Sequence, residues 1–153
     1  MAMKIVILED NVDRRAIMRN CLADRFPMFE TKFFESAETA IGYLRRNLPD
    51  TIAIALDHDL EFIAGSDGRL IDPGNGREVA DYLAAQKPVC TVIVHTTNSD
   101  AAVGMTMVLR DGGWKTKRVV PFDDMNWIES DWFFAMRRAI VGPLKRKRVQ
   151  THS

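Results

Sequence analysis

The sequence carries no excess charge. Its 21 Lys and Arg balance 21 Asp and Glu, so no global field draws the chain to nucleic acid or to a membrane surface, and any polyanion contact must be local. No apolar run approaches the roughly 20 residues of a membrane span. Met1-Ala2-Met3 passes straight into a strand-like run with Lys4 as the single early charge, so no secretory leader is expected. Cysteine is scarce: Cys21 and Cys90 stand far apart and neither belongs to a CxxC, which leaves a zinc knuckle or a thiol redox pair without support. Two reduced core thiols in a cytoplasmic protein are the expectation. Internal repeats and low-complexity tracts are absent as well.

What remains is an ordinary globular composition, 46% apolar and 27% charged. A chain of 153 residues suffices for one domain that buries roughly 70% of its unfolded surface. Strand-like runs at Lys4–Leu8, Thr31–Phe34, Ile52–Leu56, Thr91–Val94 and Arg118–Phe122 alternate with helix-like stretches at Val12–Arg25, Ala37–Asn47, Gly76–Gln86, Ser99–Arg110 and Trp127–Val141. In the last of these, Ile128, Trp132, Ala135, Met136, Ala139 and Ile140 recur on one face at helical spacing. Ile17, Met18, Cys21, Leu22 and Phe26 do the same in the first, with Asn11 as its N-cap and Pro27 beyond its end. The alternation predicts an α/β fold, a five-stranded parallel sheet covered on both faces, because right-handed crossovers lay helices over the sheet. Residues 1–143 are expected to form this domain. Residues 144–153, with Lys145-Arg146-Lys147-Arg148 after Gly142-Pro143, read as a flexible basic tail, or as a weak phosphate or RNA contact. Glu61 to Asn75 is the longest irregular stretch and reads either as a lid or specificity loop or as a surface insertion of no consequence.

In parallel sheets, ligands sit beyond the carboxyl ends of the strands. Three polar clusters fall there: Glu9-Asp10-Asn11 after the first strand, Asp57-His58-Asp59 after the third, and His95-Thr96-Thr97-Asn98 after the fourth. Crowded carboxylates repel one another, and a divalent cation removes that penalty. Magnesium is the expected ion; histidines among the ligands would favour manganese, iron or zinc. Side chains alternate along a strand, which opposes His58 to Asp57 and Thr96 to His95 while regular strand persists. A packed role therefore stands beside a catalytic one for each imidazole. Trp132 fits the buried helical face, and Trp127 either packs at the helix start or flanks a base.

From Met3 to Val141 the chain resembles the receiver domain of two-component response regulators. Glu9 and Asp10 match the acidic pair after the first strand, Asp57 the phosphate-accepting aspartate, and Thr96 the hydroxyl residue after the fourth strand. The resemblance implies a flavodoxin-like sheet in the order 2-1-3-4-5 and magnesium held by the acidic pair and the acceptor. Receivers also carry Lys-Pro after the fifth strand. Here Val119-Val120-Pro121-Phe122 keeps the proline and lacks the lysine, while Lys117 and Arg118 are expected at the far end of that strand. Without the lysine, the cation that balances a phosphoryl charge is missing.

Leu56-Asp57-His58-Asp59-Leu60 with the later His95-Thr96-Thr97-Asn98 resembles a narrower family, the cyclic-phosphate-processing receiver domains, whose members are predicted phosphoesterases. That likeness implies metal-dependent opening of a cyclic phosphate, on a nucleotide or an RNA end. Asp10 and Asp57 would hold the metal, with Glu9 beside them and Asp59 lending a carbonyl or orienting His58. His95 would be the favoured acid or base among the catalytic candidates His95, His58 and Asp57. Thr96 and Asn98 would hydrogen-bond phosphate oxygens, and Arg77 would reach a phosphate from the third helix. The rival of another class is a stand-alone or degenerate receiver without enzymatic activity, phosphorylated at Asp57 or binding a signalling partner or a second copy through its last helices.

Overall fold

The computed structural model describes residues 2–122 and 124–152. Five strands, β1 (Lys4–Leu8), β2 (Glu30–Phe34), β3 (Thr51–Leu56), β4 (Thr91–His95) and β5 (Lys115–Val119), pair in parallel in the spatial order β2-β1-β3-β4-β5. This is the 2-1-3-4-5 order that the resemblance implies. The helices are α1 (Val12–Arg25), α2 (Ala37–Asn47), α3 (Gly76–Ala84), α4 (Ser99–Asp111) and α5 (Phe133–His152), the last entered through a wide π turn at Ile128–Trp132. Asn11, Ser36, Asn75 and Asn98 each cap a helix by accepting a main-chain N–H in its first turn.

Alternation along the strands gives the sheet two cores. Val6, Leu8, Ile54, Leu56, Val92 and Val94 meet Leu44, Leu83 and Met105 of α2, α3 and α4. Ile5, Ile7, Ala53, Ala55 and Ile93 meet Met18 and Leu22 of α1, and Trp132, Met136 and Ile140 of the final helical segment. Burying each large aliphatic contributes about 1.5–3 kcal/mol, and the rows they form decide where the next polar residue on each strand must point.

Three expectations need correction. The fifth strand is Lys115–Val119, not Arg118–Phe122. Pro121 lacks the N–H a strand needs, whereas the alternating Lys-Thr-Lys-Arg run suits a half-solvated edge. Arg118 thus stands near the carboxyl end of β5, not before the strand. The last helix passes Gly142 and Pro143 and continues to His152, Pro143 forgoing one main-chain donor. The side chains of Arg146, Lys147, Arg148 and His152, on which a tail contact would turn, lie outside the described residues. The long loop holds a small antiparallel ribbon, Ile63–Ala64 with Leu70–Ile71, which the sequence pattern does not reveal. Cys21 and Cys90 are unpaired and only partly buried. No helix among the described residues is long and apolar enough to cross a membrane.

Candidate functional site

The first and third strands end side by side, the main-chain N–H of Asp57 donating to the Leu8 carbonyl at 3.0 Å. That juxtaposition brings Glu9, Asp10 and Asp57 together, each with a carboxylate oxygen within 4.8 Å of the others. Burial is the largest influence on Asp57 and lifts its carboxyl to about 6, with the Glu9 charge adding to it. Burial also raises Asp10, against a hydrogen bond from the Glu61 N–H at 2.6 Å. Two of the three carboxylates are therefore poorly compensated by protein alone, and such a set fits a hard divalent cation. Asp59 stands outside this group; its carboxylate meets His58 Nδ1 at 2.9 Å. A cleft of about 600 Å³ opens beside the cluster, lined in part by Asp10, Asp57, Asp59, Glu61 and Arg14.

Gly76 opens α3 directly under this strand end and donates its N–H to the His58 carbonyl at 3.0 Å. A Cβ at Gly76 would overlap the Asp57 carbonyl and stand 2.8 Å from Met105 Cε. Gly76→Ala is expected to cost about 1–3 kcal/mol and to weaken divalent-cation binding, read by urea unfolding with and without magnesium.

The two histidines have different surroundings. His95 continues the β4 row that faces α1 and α5. It is fully buried, its ring 5.8 Å from that of Trp127 and edge-on to Trp132 at 6.2 Å. Its Nε2 lies 3.2 Å from Glu9 Oε1. An ionised carboxylate only accepts, so Nε2 carries the proton and donates. Burial alone would raise the Glu9 carboxyl, but the His95 hydrogen bond and charge, the Asn11 N–H and Arg14 outweigh it and hold it below its ordinary range. The ring of His95 cannot meet a substrate in the cleft; it reaches the site only through Glu9. His58 lies at the surface end of β3, partly exposed and paired with Asp59.

Thr96 Oγ1 accepts the Asn98 N–H at 3.1 Å, and Asn98 Oδ1 accepts that of Ala101. Both therefore shape the turn into α4. Arg77 is not brought to the cleft: its Nε donates to Asp81 at 2.8 Å, and the guanidinium lies over Gly104 of α4. Trp114 is core, its Nε1 donating to the Leu83 carbonyl at 2.8 Å. Trp127 is fully buried and offers no free face to a base. Arg14, which sequence reasoning passed over, extends to 3.6 Å from Glu9 Oε1 and 4.0 Å from Asp57 Oδ2. Helical side chains lean toward the N-terminus, so an arginine in the first turn of α1 reaches back over the end of β1. That lean is the signal that could have found it.

Residues 4–111 match the family described as cyclic-phosphate processing receiver domain. The chain belongs to this family. No curated protein matches the sequence. Solved receivers share the fold. The phosphorylated cyanobacterial phytochrome response regulator RcpA is 18% identical, with a TM-score of 0.66 over 92% of this chain and 95% of that one. The response regulator domain of Thermotoga maritima CheB is 13% identical, with a TM-score of 0.62 over 92% and 97%. The manganese-bound response regulator Rcp1 is 18% identical, with a TM-score of 0.59 over 86% and 94%.

As a cyclic-phosphate processing receiver domain, the chain keeps the receiver carboxylates and replaces the lysine before Pro121 with Val120, which is 49% exposed. Arg118 does not fill that place. It extends along β4, where its Nη2 donates to the Thr96 carbonyl at 3.0 Å.

Proposed function

We propose that this receiver domain is a divalent-metal-dependent phosphoesterase that opens a cyclic phosphate on a nucleotide or an RNA end. The observation that carries the reading is the cluster of Glu9, Asp10 and Asp57 beside an open cleft, in a chain with two added histidines. A divalent cation on these carboxylates would draw charge from the non-bridging phosphate oxygens. Glu9 is held in place by His95 Nε2 and the Asn11 N–H, so one carboxylate is fixed before any ligand arrives. His58 is the proton carrier. With Asp59 accepting from Nδ1, Nε2 is left unprotonated in the neutral ring and can take a proton. His95 is a positioning residue, a reversal of the role the motif alone implies.

The test is turnover of 2′,3′-cyclic nucleotides with magnesium or manganese. Hydrolysis to a monoester that stops on chelation by EDTA and returns on adding back the ion is the expected result. A second reading rests on the same cluster, since Asp57 remains 7% exposed at the receiver acceptor position. In that reading an acyl-phosphate donor leaves a stable adduct on Asp57, and no cyclic substrate is consumed.

A further inference from the structure

Arg14 is built into the cleft in a manner that a surface arginine is not. Its guanidinium carbon lies over the Trp127 ring, 5.3 Å from the centroid, and Trp127 is itself fully buried. The arginine is therefore fixed from behind by an aromatic face that cannot move aside. From the front it leans on Glu9 and Asp57 at 3.6 and 4.0 Å. Both separations exceed hydrogen-bond length, and among the described residues no acceptor takes a hydrogen bond from this side chain. Its planar fork of N–H donors thus points at the acidic cluster with its directional capacity unspent. Its main chain is fixed too, the Arg14 N–H donating to the Asn11 side chain at 2.9 Å. The side chain keeps 27% of its surface open and lines the cleft.

We infer that Arg14, seated on Trp127, is the phosphate-binding cation of this site. A cation on Glu9, Asp10 and Asp57 would take over the negative charge on which the guanidinium now leans. The fork would then be free to grip two oxygens of a phosphoryl group arriving in the cleft. The inference rests on the phosphate-site half of the proposal above and adds the residue that reads the anion.

Inorganic phosphate serves as the probe, titrated by calorimetry into the full chain with saturating magnesium. Arg14→Gln should weaken binding by about tenfold or more, and Arg14→Lys by an intermediate factor, since an ammonium keeps the charge and loses the fork. Arg15→Gln is the charge control, because Arg15 is paired with Glu35 at 2.7 Å; it should bind as wild type does. Trp127 supplies a spectroscopic readout: phosphate should alter tryptophan emission in wild type, and the change should vanish in Trp127→Phe. Should Arg14→Gln fail to fold, Arg14→Lys carries the test alone. Unchanged affinity in the Arg14 variants, an equal loss in Arg15→Gln, or no phosphate binding by wild type overturns the inference. Wild type that binds phosphate through Arg14 yet leaves cyclic substrates intact refutes the phosphoesterase and leaves Arg14 assigned.

Discussion

Asp57→Asn is expected to raise the thermal midpoint of the metal-free protein by about 5–10 °C at neutral to mildly alkaline pH, while abolishing both turnover and stabilisation by magnesium or manganese. Burial raises the Asp57 carboxyl to about 6, and the His95 charge, the His58 N–H and Arg14 recover only part of that cost. A folded pKa above the unfolded one means the native state prefers the protonated acid. The stability this group contributes is complete below about pH 4 and is lost as pH rises through about 6, amounting to about 3 kcal/mol. Above that range the native chain holds an ionised carboxylate in a poorly solvated place, and asparagine removes it. Scanning calorimetry without divalent ions should show the two proteins converging near pH 4, separating as pH rises to about 6, and keeping a constant gap above it. Equal midpoints at pH 7.5 would mean that the protein alone already compensates the charge.

The same carboxyl couples cation binding to pH. An ion on Asp57 must displace its proton, so the affinity for magnesium should fall about tenfold per pH unit below about pH 6. Asp10, also raised by burial, would steepen that slope. Activity lost in acid should therefore be recoverable by a higher cation concentration, as long as the fold persists.

The alternation of strands and helices and the positions of the three polar clusters were legible because periodicity acts on the chain locally, whereas the spatial order of the strands came from the likeness to receiver domains. The direction of each polar side chain was half legible. Ile5, Ile7, Ala53, Ala55 and Ile93 form the rows beneath α1 and α5, and counting on by two reaches Glu9, Asp57 and His95. That count already places His95 under a helix and opposes it to Thr96. The motif likeness pulled instead toward a catalytic imidazole. What sequence could not supply was distance between elements. Arg14 meets Trp127 only because the segment after β5 folds back over the start of α1, and nothing local in either stretch encodes that meeting. The start of β5 is hidden for a related reason: Lys115–Val119 looks polar because it is an edge, and an edge strand need not present the apolar run that marks an inner one.

Replacing the two histidines should separate chemistry from architecture. His58→Ala is expected to lower the rate on a 2′,3′-cyclic nucleotide by about 10²–10⁴-fold, the usual contribution of a positioned proton carrier, with little change in midpoint because the ring is partly exposed and its partner Asp59 is at the surface. His95→Ala is expected to cost about 3–5 kcal/mol, since it strips the partner from a buried charge. Glu9 is fully buried, and without His95 only the Asn11 N–H and Arg14 would oppose its burial. Its carboxyl would then rise instead of fall, so the folded variant would favour the protonated acid. The deficit against wild type should accordingly be smallest in acid, where the carboxyl is protonated, and widen as pH rises above the ordinary carboxylate range. His95→Gln, which retains an N–H donor toward Glu9, should recover most of the stability and keep measurable turnover. Turnover lost in His95→Gln at full stability and kept in His58→Ala would exchange the two roles and return His95 to the chemistry.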